Sequence, residues 1–464
     1  MSEAYLSRRP FIADLNAIQA IALQLLLLFI VLDLAETETS LTSDQVFRTI
    51  GVYAIIFLIL AAYFWPDSRS RPTDSIALLS GFIIALAIRA ILLDVDPITS
   101  TDFHRNLMFG NIWVLGVDPY TTTGDEILQL IQNGDIELIV PYTSSWRTHA
   151  YDYPSSAIWL FWLIIQLAIT FPMFDAFVWG KLVLNLFDFG SGYLIYRITK
   201  DRLGWHALAA QRASLLFLLN PFSVFQVGLE GQFESWPLFT FLISLYFFLG
   251  VDLSIPSREM SNRVNVYFGA FFLVLSVMAK YYSLVALPAI LWLVRDRRLI
   301  ARLLGAMVVF GFYLSLPFIV SGPYITNFLN FQADRNANPL LETIPELLGY
   351  RIELSFWAYL LCGAVVVIAI VRQNDKEIAL GVMALLLTYF LFNNNSLFPW
   401  YFLWLLNVYP LIRSEDSYVE VLFWFVCIFI YLVIWIADIS FWIWAVVIMA
   451  SGAILTHQLF PFKA

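Results

Sequence analysis

The run AIQAIALQLLLLFIVL, Ala17–Leu32, is interrupted only by Gln19 and Gln24 and carries no charge. A helix needs roughly 20 mainly apolar residues to cross the hydrocarbon core of a bilayer, and this stretch with its flanks supplies them. Similar runs recur at Val52–Phe64 and Phe271–Met278, with short polar punctuation between the runs. They are continuous, whereas the strands of a membrane barrel would alternate apolar and polar residues between turns. Over the 464 residues, 60% are hydrophobic and 13% charged, against about half and a quarter in a soluble domain. The sequence therefore predicts an all-α, polytopic transmembrane protein.

No small-residue cleavage pattern follows the first run, so that span is expected to be retained. The net charge of −9 decides less than the placement of the charges. No basic stripe lies outside the candidate inner loops, which argues against a nucleic-acid partner. Cys362 and Cys427 both fall inside apolar runs and read as small buried hydrophobes without metal or disulfide spacing.

Three spans are expected at 16–33, 50–65 and 75–93. Arg8 and Arg9 precede the first, and Arg69 and Arg71 separate the second from the third; the positive-inside rule puts both groups in the cytoplasm. The loop from about Val95 to Pro154 is then outside. If Ser155–Phe171 crossed the membrane, Arg197, Lys200, Arg202, Arg295, Arg297, Arg298 and Arg302 would all lie outside as well. The charge bias is better met if that stretch dips into the outer leaflet without crossing. Eleven further spans follow, near 176–196, 205–225, 236–251, 264–280, 283–294, 303–320, 352–371, 377–392, 398–412, 418–436 and 440–456. The expected total is about 14, within a range of 12–15. Four outer features then share one face: the 95–154 loop, the Gly228–Trp236 turn, the 321–351 loop and the Asn393–Tyr401 turn. Within the first, residues 103–115 and 124–133 show helical spacing of apolar side chains and read as two short amphipathic helices on the membrane surface.

Chemistry-bearing residues concentrate on that face. Asp102 lies in Ser100-Thr101-Asp102-Phe103-His104-Arg105, ahead of Gly116-Val117-Asp118-Pro119-Tyr120 and Tyr151-Asp152-Tyr153-Pro154. Asp is a favoured helix N-cap, and an acid so placed can also serve as a base; the two roles are compatible. Glu230, Gln232 and Glu234 crowd one turn beside the bilayer, where ionisable groups are expensive. A turn requires the glycines at 228 and 231 but not the carboxylates. Lys280, followed by Tyr281-Tyr282, closes a span on the side opposite to the charge bias. It either snorkels to headgroups or holds an anion, and Arg335 and Arg351 pose the same question, with Arg105 and Arg147 as the other outer cations. Lys181 and Asp188 are seven residues apart in one span, about two turns and so on one face. They read as a structural pair or as an intramembrane functional pair. His104 and His149 with Asp102 lack the HxxxH or HExxH spacing of a zinc site.

Taken in order, these motifs resemble the GT-C superfamily of polytopic glycosyltransferases, and within it the polyprenyl-phosphate-mannose-dependent mannosyltransferases. The matching set is the loop acid with Gly116…Pro119-Tyr120, Tyr151-Asp152-Tyr153-Pro154, Lys181…Asn185…Asp188…Tyr196-Arg197, Asn220-Pro221, Gly231-Gln232-Phe233-Glu234, Lys280…Pro288 and Pro399-Trp400-Tyr401. It spans about 100–410, with residues 1–70 as additional N-terminal helices before a GT-C-like catalytic domain over 71–464. Two departures stand out. The family often carries a D-x-D pair in the first outer loop, where this chain has Ser100-Thr101-Asp102, and a proline pair where it has Pro154-Ser155. The missing acid argues against a divalent metal.

The resemblance implies a hexosyltransferase, with mannose favoured, that uses a polyprenyl-phosphate-linked donor and a glycolipid or glycan hydroxyl as acceptor, without a cofactor. Asp102 is then the base of an inverting displacement, and Lys280, Arg335 and Arg351 meet the donor phosphate. His104, Arg105, Tyr120, Tyr153, Glu230, Gln232, Glu234, Tyr282 and Tyr401 become candidates for substrate contact, or, for the turn acids, for positioning the loop. The site would face outward from the plasma membrane of a prokaryote or into the endoplasmic reticulum lumen of a eukaryote. The competing expectation is a transporter or flippase of a lipid-linked or anionic substrate, with Lys181 and Asp188 at its midplane.

Overall fold

The structure, a computed structural model, describes residues 17–36, 43–63, 74–98, 100–144, 147–251, 259–319 and 401–411, with positions 323, 324, 326, 382 and 386. Among the described residues every regular element is helical and none is a strand. The chain divides into two compact units, one of residues 1–95, 195–229 and 398–464, the other of 96–194 and 230–397. Both are discontinuous in sequence.

In the first unit, α1 (Ala17–Glu36) packs on α3 (Asp74–Ile91), with α2 (Ser43–Tyr63) beside α1. Gln24 explains its place in the apolar run: its amide donates to Ala77 O at 3.0 Å and its oxygen accepts from the Ser80 hydroxyl at 2.6 Å. A buried amide between apolar helices is tolerated because both ends are satisfied. α8 (Ala207–Leu218) is followed by a wide helical turn, Ser223–Leu229, bent 54° from it. Pro221 lies in the break and cannot donate to the ladder. The Tyr53 hydroxyl donates to Leu219 O at 3.1 Å beside that break, and the buried Arg89 guanidinium donates to Ser223 Oγ. α13 (Phe402–Val408) belongs to the same unit.

The second unit carries α4 (Asp102–Val114), α5 (Gly124–Asn133), α6 (Ser155–Thr170), most of α7 (Ala176–Arg197), α9 (Ser235–Phe248), α10 (Glu259–Val277), α11 (Leu287–Val294) and α12 (Arg297–Ile319). α4 lies directly on α6: a Cβ at Gly110 would sit 2.8 Å from the Phe161 backbone, so only glycine allows the approach. α10 packs on both α9 and α12. Trp236 at the start of α9 donates its indole N–H to Ser156 Oγ at 2.9 Å, and Ser276 on α10 donates to Pro237 O at 2.6 Å. These two bonds pin the α9 entry between α6 and α10.

Among the described residues four helices are long and apolar enough to cross a membrane, at Ile18–Ala35, Ser75–Asp94, Glu259–Val277 and Arg297–Ile319; a fifth is counted if α8 and Ser223–Leu229 form one broken span. Apolar side chains such as Phe29, Ile83, Val308 and Phe312 stand exposed on these helices, as lipid-facing positions would. The expected spans at 50–65, 236–251 and 283–294 correspond to shorter apolar helices, as does α6, whose 16 residues reach about 24 Å. The helix over 176–196 forms at full length but is not among the four. The spans expected at 352–371, 418–436 and 440–456, and nearly all of 377–392, lie outside the described residues.

Residues 95–154 form both expected helices, with one correction. α5 opens on a capping box: Thr123 N donates to Glu126 Oε2 at 2.8 Å, and the Thr123 side chain accepts from Glu126 N. α4 is not a surface helix with a wet polar face. Arg105, Asn106 and Asn111 are each about 1% exposed, as buried as Phe103 and Leu107. Arg105 pairs with Asp152 and Asn111 Oδ1 accepts from Ile139 N at 2.8 Å, so amphipathic spacing does not translate into a water-facing side.

Candidate functional site

Asp102 opens α4, and the segment before it is held by Glu230. Ile98 N and Ser100 N donate to the two carboxylate oxygens of Glu230, at 3.3 and 3.1 Å. Asp102 N donates to Ser100 Oγ at 3.2 Å. Two backbone donors on one carboxylate make a charge-assisted clamp, and this acid therefore positions the loop. The N-cap position is occupied by Thr101, with no side-chain cap bond, and Asp102 sits one residue inside the helix. The capping role expected of Asp102 is thus corrected. Its half-buried carboxylate is left at the positive end of the α4 dipole.

The Gly231-Gln232-Phe233-Glu234 turn reaches the same place from the other side. Gly231 has φ +64°, and a Cβ there would lie 2.8 Å from the Phe103 ring. Both facts demand glycine, one through backbone strain and one through space. The turn delivers Glu234 to Lys280, and the two form a salt bridge with side-chain exposures of 0% and 6%. A second buried pair, Arg105 with Asp152, lies beside it. The Tyr153 ring joins the two: Lys280 Nζ is 5.3 Å from its centroid and the Arg105 guanidinium carbon 5.6 Å. Lys280 also lies 4.7 Å from the Phe233 ring. Cations over aromatic faces are stabilised most where water is scarce.

Burial raises the Glu234 carboxyl above its ordinary 4.5; Lys280 opposes the rise and the charge of Asp102 adds to it. Burial would lower the Arg105 pKa, but Asp152, Tyr153 and Asp102 together outweigh it, and the net shift is upward, keeping the guanidinium charged. Tyr120, Tyr151 and Tyr153 are pushed well above the usual phenol value by burial and remain neutral. With all five groups ionised, Asp102, Asp152 and Glu234 face Arg105 and Lys280. Of the three acids, Asp102 is the one that no described salt bridge neutralises.

Several polar atoms beside these pairs have no hydrogen-bond partner among the described residues: Gln232 Nε2, Glu234 Oε2, Ser235 Oγ, Ser283 Oγ, Tyr151 OH and Asp152 Oδ2. Each such group costs about 1–3 kcal/mol when left unsatisfied. Their concentration on the segments carrying both ion pairs marks a place suited to a polar ligand.

The other expected residues divide clearly. Tyr120 is buried and donates its hydroxyl to Tyr153 O at 2.9 Å, within a cluster that includes Tyr151, Phe318 and Tyr324. It is part of the wall behind Tyr153. Arg105 is likewise committed to Asp152 instead of facing an open surface. His104 turns toward α7: its ring stacks on Phe177 at 5.7 Å, and Nε2 is 3.9 Å from Asp96 Oδ1. Lys181 Nζ lies 5.0 Å from that same Phe177 ring. Tyr282 is 4% exposed and edges onto Tyr281. Tyr401 is buried in the first unit, while Arg335 and Arg351 lie outside the described residues. Arg147 pairs with Asp125 at 2.9 Å on the surface. Among the described residues no three His, Cys, Asp or Glu side chains converge as metal ligands.

Two participants had no role assigned from sequence. Asp152 was part of the tyrosine motif, but its pairing with Arg105 spans 47 residues and has no periodic signature. Tyr324 packs on Tyr120 and its hydroxyl accepts from the Ser155 N–H at 3.2 Å. In comparisons with known proteins, no family model, no curated protein and no solved structure matches the chain.

Proposed function

We propose that the chain is a GT-C-type membrane glycosyltransferase that moves a hexose, mannose by preference, from a polyprenyl phosphate to a hydroxyl of a glycolipid or glycan. The observation that carries this reading is the half-buried Asp102 carboxylate beside a buried cluster containing Lys280, Arg105 and unpartnered donors. In the reaction, Asp102 takes the acceptor proton as the acceptor oxygen bonds to the anomeric carbon. The bond from that carbon to the donor phosphate oxygen breaks with its electron pair, and configuration inverts. A phosphate leaving group is already a stable anion and needs nearby positive charge more than a general acid. Lys280 supplies that charge, and Glu230 keeps the segment before Asp102 in place. The active face lies on the outer side of the plasma membrane, or its luminal equivalent.

The test is Asp102→Asn, assayed by transfer of labelled sugar from polyprenyl-phosphate-mannose in purified membranes. Since the side chain caps nothing, the amide should leave folding unchanged and abolish transfer. More than about a tenth of the wild-type rate would remove Asp102 from the role of base, given the 10²–10⁴-fold that a positioned base contributes.

One observation favours a second reading, transport of a lipid-linked or anionic substrate. Lys181, Asn185 and Asp188 are all buried along α7, and the Asn185 amide donates to Lys181 O at 2.8 Å. Buried ionisable groups within a membrane helix mark pathways as well as structural contacts. Substrate movement across proteoliposomes by Asp102→Asn protein, without sugar transfer in the wild type, would select it.

A further inference from the structure

Lys280 is already neutralised: its ammonium is bonded to a carboxylate that has no exposure at all. An incoming anion therefore meets an occupied cation, and either it fails to bind or it displaces Glu234. We infer that Glu234 is a displaceable counter-anion, which yields Lys280 to a phosphate group of the ligand and itself takes up one proton from solvent. This inference rests on the proposed role of Lys280 at the donor phosphate and deepens it. The exchange balances: one ion pair is replaced by another, Glu234 gains an O–H bond, and one proton leaves the solvent per anion bound.

Three features of the site support it. Lys280 is the more exposed member of the pair, so an anion approaches from its side. The second oxygen of Glu234 has no partner among the described residues, so Lys280 and the backbone N–H of Glu234 itself are what hold its carboxylate. The donors Gln232 Nε2, Ser235 Oγ and Ser283 Oγ, on the same segments as the pair, have no described acceptor, and a phosphate brings only acceptors. The charged and titratable groups around Glu234 are Lys280 and Asp102, with Arg105, Asp152 and Tyr153 adjoining them. Asp102 is negative and disfavours a second bare carboxylate once Lys280 has moved. Burial already favours the neutral form of Glu234.

The experiment measures binding and proton uptake by calorimetry at pH 6–8 in buffers of different ionisation enthalpy, with the full-length protein in one detergent. The probe is a short prenyl methyl phosphodiester, whose own charge is fixed over this range. Dimethyl phosphate and dispersed phosphatidylglycerol are run in parallel to separate a prenyl ligand from a free anion or a lipid headgroup. Wild-type protein should take up close to one proton per probe, and its affinity should rise about tenfold per unit fall in pH. Glu234→Gln should bind at least about fivefold more tightly at pH 7, with no proton uptake. Binding that depends on Lys280 but is independent of pH, with Glu234→Gln no tighter, would overturn the exchange and leave the phosphate role of Lys280 standing. If the probe fails to bind, or binds equally to the Lys280→Met, Glu234→Gln double variant, both ideas fall. The wild-type measurement decides the matter even where a variant does not fold.

Discussion

Replacing Lys280 by Met removes a cation whose partner, Glu234, is completely buried. The structural cost follows from that burial alone, apart from any part Lys280 plays with substrate. Removing one member of a buried pair costs about 3–5 kcal/mol because the other is left as an uncompensated charge, whereas replacing both by groups of similar volume is often neutral. Glu234 relieves part of the penalty by taking a proton, which burial already encourages; the lower end, about 3 kcal/mol, is therefore expected at neutral pH. The loss should shrink as pH falls toward the raised Glu234 value. Glu234→Gln alone should cost less, since the more exposed Lys280 can reach water. The double variant should recover most of the Lys280→Met loss. The assay is a double-mutant cycle on unfolding free energy in a single detergent, with coupling of about 0.5–3 kcal/mol expected for contacting residues. Additive single and double variants would show that the pair contributes no coupling. An additive cycle would also remove the physical basis for treating Glu234 as the occupant of Lys280.

Gly231→Ala should destabilise by about 1–2 kcal/mol through its positive φ, with more from the clash against Phe103; unfolding unchanged from wild type would contradict the close approach of the turn to α4. His104 has its pKa lowered from 6.5, mainly by burial, with Lys181 lowering it and Asp96 opposing. Its folded value is below the unfolded one, so the associated stability is present above pH 6.5 and is lost as pH falls through the folded value. His104→Gln should flatten that part of the curve, and an identical pH profile for wild type and variant would refute it. For topology, a cysteine at 297 should react with an impermeant reagent only after permeabilisation, and one at 335 from outside; the reverse pattern would mean that α6 crosses the membrane.

Composition and run length alone determined that the chain is helical and suited to a membrane, because an apolar run needs no partner to declare its solvent. Local chemistry was equally legible where it depends on near neighbours in sequence. The helical spacing over 124–133 closes into α5, and the glycine at 231 answers a local turn. Single residues of the candidate site, among them Asp102, Glu234 and Lys280, stood out because charge beside a bilayer is costly. Their roles did not follow from that. Glu230 became a clamp, Arg105 an internal partner of Asp152, and Lys280 a cation already occupied by Glu234, through contacts spanning 130, 47 and 46 residues. The same limit applies to α4, whose helical period was plain but whose polar face is buried. Periodicity tells which side chains share a face of one helix; only packing decides whether that face meets water, lipid or another charge.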